Sequence, residues 1–396
     1  MAKIVLGVGG GIAAYKAVYL LRALMGEGHF VTPVLTESAT KFVGSVTFSA
    51  LASEKAKVSL FEDSDAIPHT HLGRSADLIC IAPATADIIF KLANGVADDI
   101  LSATVMASKA QVVLAPAMHE EMWDNFAVQK NIKALSDAGY MIVPPAHGSL
   151  AAGDSGVGRM AEPEVIATFV RFALVEESVN LAGKKIVVSA GGTREAIDPV
   201  RFIGNRSSGK QGLAFAKVAA CWGAEVVLVT TNSVSEFPRV RQVLVSSADE
   251  MSEAMHSERA HADLVVMAAA VSDFRVASFS SSKIKREVRT NMTLELEANL
   301  DILTSLTSSE SGDCIYIGFA AETDALEENL TKKLHSKGVD IIVGNDVTKP
   351  GAGFDTDTNS VTVLSKLGDR FSLEDVSKEA VAVKVLALAH TMFERS

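Results

Sequence analysis

Lys3-Ile4-Val5-Leu6-Gly7, running on into Gly9-Gly10-Gly11-Ile12-Ala13-Ala14, is the stretch that decides the fold. A short β-branched run ending in a glycine turn is how the first strand of an α/β domain gives way to its first helix. The construction returns at Lys185-Ile186-Val187-Val188-Ser189, which leads into Gly191-Gly192. Each copy is followed by a second strand preceded by glycine, Phe30 to Leu35 and Glu225 to Val229. Ala76-Asp77-Leu78-Ile79 and Ala262-Asp263-Leu264-Val265 then open a further matching pair. One architectural rhythm is used twice. In each half strands alternate with helices, so the expected class is α/β: two doubly wound parallel sheets of Rossmann-like type. Residues 162–177, with Pro163 near the start, predict an apolar-faced helix between the halves, and 178–184 predict a linker. The expected domains are 1–178 and 184–396.

Bulk properties narrow the function. The 396 residues exceed one ordinary domain and suit two. Nearly half are apolar (48%) but only 6% are aromatic, the balance of sheets covered by helices. A net charge of -11 repels phosphate backbones and argues against nucleic acid as a partner. Cys80, Cys221 and Cys314 are far apart and form no CxxC, which argues against structural zinc and for a reducing compartment. The N-terminus enters a strand directly, without a signal-peptide pattern, and no apolar run is long enough to span a bilayer. The expectation is a cytoplasmic protein without membrane partners.

Ligands of doubly wound sheets bind beyond the carboxyl ends of the strands, so the residues after each strand carry the argument. Gly9 to Ala14 fit GxGxxA, which brings backbone close to a phosphate, although a tight βα turn needs no more than this. The second strand ends Leu35-Thr36-Glu37-Ser38. Glu37 offers the acid that a dinucleotide wants, while the hydroxyls of Thr36 and Ser38 suit a monophosphate better. The third strand ends Ala82-Pro83-Ala84-Thr85-Ala86-Asp87, and the fourth ends Ala115-Pro116-Ala117-Met118-His119, followed by Glu120-Glu121-Met122-Trp123.

With these segments, residues 1 to 175 resemble the homo-oligomeric flavin-containing cysteine decarboxylases, whose hallmarks read PATAD and PAMHEEMW here. The resemblance implies FMN as cofactor, bound by Gly10, Gly11, Ile12, Thr36, Ser38, Thr85 and Ser102. It implies His69, in His69-Thr70-His71-Leu72-Gly73, as the catalytic base, with Met118 and His119 against the substrate. The chemistry implied is oxidation of a cysteine residue's carbon–sulfur unit to a thioaldehyde, loss of carbon dioxide to an enethiolate, and return of the hydride. Two departures stand out. His119 replaces the family's asparagine, and Ala152, in Ser149-Leu150-Ala151-Ala152-Gly153-Asp154, replaces a flap cysteine.

The second half is densest in polar and glycine residues at Gly191-Gly192-Thr193-Arg194-Glu195 and Asp198 to Lys210. Residues 204–210 match GxxxxGK, but Gln211 stands where a P-loop needs Ser or Thr for magnesium. With Ala268-Ala269-Ala270-Val271-Ser272-Asp273-Phe274-Arg275, Lys283-Ile284-Lys285, Gly318 to Thr323 and Asn345-Asp346-Val347, residues 184 to about 390 resemble phosphopantothenate–cysteine ligases. The resemblance implies CTP as co-substrate with Mg2+, and an acyl-cytidylate attacked by the cysteine amine. It gives Lys283 to cytidylate formation, Asn205 to the second step and Arg201 to a phosphate or carboxylate clamp. CTP contacts implied are Met267, Ala268, Ala269, Asp273, Lys283, Asn299, Asp301, Ile302, Phe319, Lys333 and Lys337. The last two lie four apart, on one face of a helix.

The fused order implies two consecutive steps of coenzyme A biosynthesis: 4'-phosphopantothenate is joined to cysteine, and 4'-phosphopantothenoylcysteine is then decarboxylated to 4'-phosphopantetheine. It also implies a homo-oligomer, trimers of one domain and dimers of the other giving a dodecamer. Two other readings stay open on the residues alone: a nicotinamide-dependent oxidoreductase built on the glycine turn, and a non-catalytic flavoprotein regulator.

Overall fold

The computed structural model describes residues 1–61, 67–149, 153–285, 292–308, 313–322, 326–346, 356 and 358–395. The chain divides into two compact units, Met1–Ser178 and Val179–Ser396. Leu150, Ala151, Ala152, Thr323 and Val347, which the sequence reading includes in its motifs, lie outside the described residues.

In the first unit β1 (Lys3–Val8), β2 (Phe30–Leu35), β3 (Leu78–Ala84), β4 (Gln111–Pro116) and β5 (Met141–Ile142) form one parallel sheet in the order β2-β1-β3-β4-β5. All residues of β3, and all but the first of β1, are buried, as helices on both faces require. Chain direction across the sheet switches between β1 and β3, so the crevice opens above their carboxyl ends. The hairpin β6 (Ala146–Ser149) and β7 (Ser155–Arg159) lies apart from this sheet. The helix expected over 162–177 runs only from Pro163 to Ala173. Glu176 and Glu177 would place negative charge at the helix's negative end, which favours stopping before them.

In the second unit β8 (Lys185–Ala190) starts the repeat. It is followed by the hairpin β9 (Arg194–Ala196) and β10 (Phe202–Gly204), then β11 (Glu225–Thr230), β12 (Val240–Leu244) and β13 (Leu264–Met267). A second hairpin, β14 (Phe274–Val276) with β15 (Leu296–Ala298), spans the base of a long excursion. Next come β16 (Ile315–Glu322), β17 (Ile341–Asp346), β18 (Thr358–Ser365) and β19 (Arg370–Ser377). The large sheet runs β12-β11-β8-β13-β16-β17-β18-β19. Its strands from β12 to β17 are parallel as expected, while β18 and β19 continue it as an antiparallel pair that the sequence reading did not foresee. Among the described residues no helix is long and apolar enough to cross a membrane.

The repeat extends to single hydrogen bonds. Asp77, ahead of β3, accepts the backbone N–H of Lys3 at 2.7 Å and donates its own to the Lys3 carbonyl. Asp263, ahead of β13, does both for Lys185.

Candidate functional site

At the switch point of the first unit the glycine turn meets the end of β2. A Cβ on Gly10 would sit 2.3 Å from Ser38 Oγ, so only glycine lets this backbone lie against that hydroxyl. Ser38 Oγ is 3.0 Å from Thr36 Oγ1. A Cβ on Gly9 would be 3.3 Å from the Thr85 methyl, and one on Gly11 would be 3.9 Å from it. Gly10, Gly11, Thr36, Ser38 and Thr85 thus converge, next to a helix (Ala14–Gly26) whose Ala13 cap offers no side-chain acceptor to its amides. Two hydroxyls and uncapped backbone N–H groups suit the oxygens of a monophosphate. Glu37, the acid that a dinucleotide would use, is exposed, and so is Ile12. Thr85 also caps helix Ala86–Asn94, accepting from Ile88 N–H. Ser102 has a local task, its hydroxyl and N–H both bonded to Asp99 in a capping box.

His69 lies in helix Pro68–Ser75. A Cβ on Gly73 would fall 2.7 Å from the Thr104 carbonyl, so this glycine seats the helix tightly on its neighbour Ile100–Met106. His69 is half-buried, and its Nδ1 is buried without a hydrogen-bond partner among the described residues. A buried polar nitrogen carries a desolvation cost that a ligand or bound group can remove. His71 is exposed.

The end of β4 is tied to the β6–β7 hairpin. Ala117 N–H reaches the Ala84 carbonyl, joining the two Ala-Pro-Ala ends, and Met118 N–H reaches the Gly158 carbonyl at 2.9 Å. Glu120 accepts the Val157 N–H at 2.9 Å. Between them His119 is held at both ring nitrogens, Nδ1 by Glu121 and Nε2 by Asp154 at 3.2 Å. The hydrogen bond to the Glu121 carboxylate, with that to Asp154, raises the His119 pKa above the usual imidazole value. Sequence reasoning missed this arrangement, since Asp154 is remote from His119 along the chain.

The second unit holds a cavity of about 440 Å³ towards the carboxyl ends of β13, β16 and β17. It is lined by Met267, Ala268, Ala269, Asp273, Asn299 and Phe319, all expected from the sequence. Asn205, Asp301, Ile302, Lys333 and Lys337 also line it. Backbone pairing holds the Gly191–Thr193 loop to the loop after β13: Ala270 N–H meets the Gly191 carbonyl at 2.8 Å, and Thr193 Oγ1 accepts the Ser272 N–H at 2.9 Å. Asn205 Nδ2 donates to the Val271 carbonyl at 3.0 Å. Asn299 Nδ2 donates to Ser272 at 2.8 Å. Lys337 follows helix Leu326–Ser336 by one residue, stays in register with Lys333 and pairs with Asp301. The Phe319 ring meets Phe215 edge-on at 5.6 Å between centroids.

Arg201 and Lys283 do not line this cavity. Lys283 is exposed, on the excursion between β14 and β15. Its neighbour Ile284 is fixed: Asp198 Oδ2 accepts both the Ile284 N–H at 3.1 Å and the Arg201 guanidinium at 2.6 Å. Arg201 in turn donates to the Ile284 carbonyl. Burial works against the charge on Asp198. The N–H groups of Val200, Ile284 and Arg201, with the guanidinium, outweigh it and hold the carboxyl below its usual range. Asp198 was quoted in a motif but given no role. Its signal was legible, because an Asp accepting N–H groups two and three residues on is the Asx-turn pattern that Asp-Pro-x-Arg favours. Gln211, where a P-loop would place its magnesium ligand, donates to the Lys378 carbonyl at 3.0 Å.

Residues 1–174 match the flavoprotein family model, and 181–392 match that of the DNA/pantothenate metabolism flavoprotein C-terminal domain. The coenzyme A biosynthesis bifunctional protein CoaBC of Mycobacterium tuberculosis is 43% identical over 398 residues, covering 97% of this chain and 95% of that protein. The CoaBC protein of Bacillus subtilis is 42% identical, covering 100% of this chain and 99% of its own length. The chain belongs to the CoaBC family. A crystal structure of a CoaBC C-terminal domain is 38% identical, covering 56% of this chain and all of its own, with a TM-score of 0.47. Membership in the CoaBC family makes the chain a bifunctional enzyme of coenzyme A biosynthesis, decarboxylase and ligase in one.

Proposed function

We propose that the second unit makes 4'-phosphopantothenoylcysteine from 4'-phosphopantothenate, cysteine and CTP, and that the first unit decarboxylates it to 4'-phosphopantetheine. The convergence of Thr36, Ser38 and the Gly9–Gly11 turn, together with the orphaned His69 nitrogen, supports the first assignment. The lysine-bearing cavity carries the second.

FMN fits the first site, its phosphate on Thr36, Ser38 and the turn, and when bound it supplies reversible two-electron oxidation. His69 takes the proton released as the substrate's carbon–sulfur unit is oxidised. Met118 and His119 are read as the residues against the substrate, next to the β6–β7 hairpin that Gly158 and Asp154 tie to them.

In the ligase, a carboxylate is a poor acyl donor until its oxygen is joined to a nucleotide. Lys333 and Lys337 offset triphosphate charge, and Mg2+ travels with the phosphate oxygens. Lys283 reaches in from its exposed loop to stabilise the cytidylyl transfer. Asn205 then orients the acyl-cytidylate for the cysteine amine, and Arg201 clamps an acidic group. Exposed Ile12, Tyr15 and Tyr19 near the start of the first unit support self-association, read as trimers and dimers combined in a dodecamer.

The deciding experiment supplies phosphopantothenate, cysteine, CTP and magnesium to the purified chain and follows products by mass spectrometry. Pyrophosphate, CMP and 4'-phosphopantetheine are expected. Absence of CTP-dependent product would refute the ligase reading, and a colourless protein that releases no carbon dioxide would refute the decarboxylase reading.

A further inference from the structure

Ligation needs three substrates in one cavity. Asn299, Asp301, Phe319, Lys333 and Lys337 are read as nucleotide contacts, and Asn205 as the holder of the acyl-cytidylate. Cysteine still lacks a holder. The same cavity has a polar corner with no assigned ligand, made by Gln211, Asn359 and Lys378. Gln211 stands in the first turn of helix Lys210–Cys221, whose N-cap Gly209 brings no side chain to the helix end. Its Nε2 donates to the Lys378 carbonyl at 3.0 Å, which fixes the orientation of the amide. Its Oε1 is buried without a hydrogen-bond partner among the described residues, a cost that a donor on a ligand removes. Lys378 opens helix Lys378–Phe393 and is only 8% exposed. The antiparallel pair β18–β19 brings Asn359 to the same corner, with Thr358 opposite Ser377 and Asn359 opposite Val376. Asn359 is buried, and its Oδ1 accepts the Ser360 N–H at 3.0 Å, so its Nδ2 is the group left to donate.

We infer that this corner is the cysteine site: Lys378 and the Asn359 amide take the α-carboxylate, and Gln211 Oε1 takes the amine. The inference rests on the ligase reading and gives that reaction's third substrate its place. An acceptor beside a cation and a donor matches a free amino acid, which carries amine and carboxylate on one carbon. The phosphates of a nucleotide offer only acceptors and would leave Gln211 Oε1 unanswered. A neutral acceptor also suits the chemistry. A carboxylate at position 211 would hold the amine as ammonium. The amide oxygen accepts an amine N–H without that effect, and the charge of Lys378 favours the neutral amine. Cysteine's ammonium gives one proton to solvent on binding. The nitrogen lone pair then attacks the acyl carbon. A C–N bond forms, the bond from that carbon to the phosphate oxygen breaks, and CMP leaves with the electron pair while the nitrogen's surplus proton passes to solvent. The thiol takes no part and needs only apolar wall, which Phe319 and Ile342 supply. Where a P-loop sets a hydroxyl for magnesium, this chain sets an acceptor for an amine.

The test uses the full chain with phosphopantothenate, CTP, magnesium and either cysteine or cysteamine, which lacks only the carboxylate. CMP release is the readout. The unaltered chain should prefer cysteine about ten-fold in kcat/KM. Lys378→Met should cut kcat/KM for cysteine about ten-fold and leave that for cysteamine in place, so the preference disappears. No preference in the unaltered chain, or one that survives in Lys378→Met, would overturn the inference. The preference is a ratio within one protein sample, so a smaller folded fraction does not imitate its loss. Gln211→Met, of similar length, should raise KM for cysteine about ten-fold, while pyrophosphate release from CTP and phosphopantothenate alone continues. An unchanged KM for cysteine, or a raised KM for CTP, would overturn the inference, the second by giving the corner to the triphosphate. If the unaltered chain releases no pyrophosphate from CTP and phosphopantothenate, the ligase reading itself fails.

Discussion

Asp198 grips the guanidinium of Arg201 at 2.6 Å, and the same carboxylate oxygen accepts the N–H of Ile284, next to Lys283. A buried carboxylate thus ties the loop that carries one expected catalytic cation to the arginine expected to clamp substrate. Charged hydrogen bonds to backbone are among the stronger ones, and here three backbone N–H groups share one acceptor side chain.

Asp198→Asn keeps the shape and removes the charge. Pyrophosphate release should fall about ten-fold in kcat/KM, as expected for loss of a charge-assisted contact. Flavin absorbance should be unchanged. Because the folded carboxyl is held below its usual range, the loop's order should be full above that range and lost only as pH falls through the lowered value. Loss of ligase turnover in the ordinary carboxylate range, from this group, would contradict the assignment.

Lys283→Gln should stop formation of the acyl-cytidylate while the protein stays yellow. The measurement is CTP-dependent pyrophosphate release without cysteine. Normal ligase turnover in this variant would remove Lys283 from the mechanism.

Gly10→Ala forces a methyl to within 2.3 Å of Ser38 Oγ and 2.8 Å of the Ser38 carbonyl carbon. The turn and the end of β2 must separate. Flavin content per chain, read from absorbance after purification, should drop sharply, and ligase turnover should persist. Full flavin content would show that the phosphate is bound elsewhere.

Phe215→Ala removes a fully buried ring from helix Lys210–Cys221 and the edge contact to Phe319 on the cavity wall. A loss of about 3–5 kcal/mol is expected for a core Phe. Denaturant unfolding of the second unit should register it, with a raised KM for CTP as Phe319 loses support.

Much of the fold was legible because local rules and tertiary needs agree. Lys3 to Gly11 and Lys185 to Gly192 announce strand, turn and helix by composition alone, and the strands they predict fall in place. The antiparallel β18–β19 extension was not legible. Burial along β18 alternates only towards its ends, with Val361 to Val363 all buried, and nothing local says which edge it joins. Of the site residues, the Thr36 and Ser38 hydroxyls and the glycine turn could be named from the sequence, and the structure brings them together. Ser102 was placed only by resemblance, and its hydroxyl turns out to cap its own helix.

By itself the sequence determined the parallel part of each sheet, the doubling of the plan and the residue types at strand ends. These follow from chirality, glycine's freedom and periodicity, which act over a few residues. Only the tertiary structure decided that Asp154 meets His119, that Asp198 joins Arg201 to Ile284, and that Asp77 and Asp263 do the same work in the two halves. Such pairs depend on loop ends that the sheets bring together from distant parts of the chain, and a carboxylate's partner is fixed by that geometry, not by its neighbours in sequence.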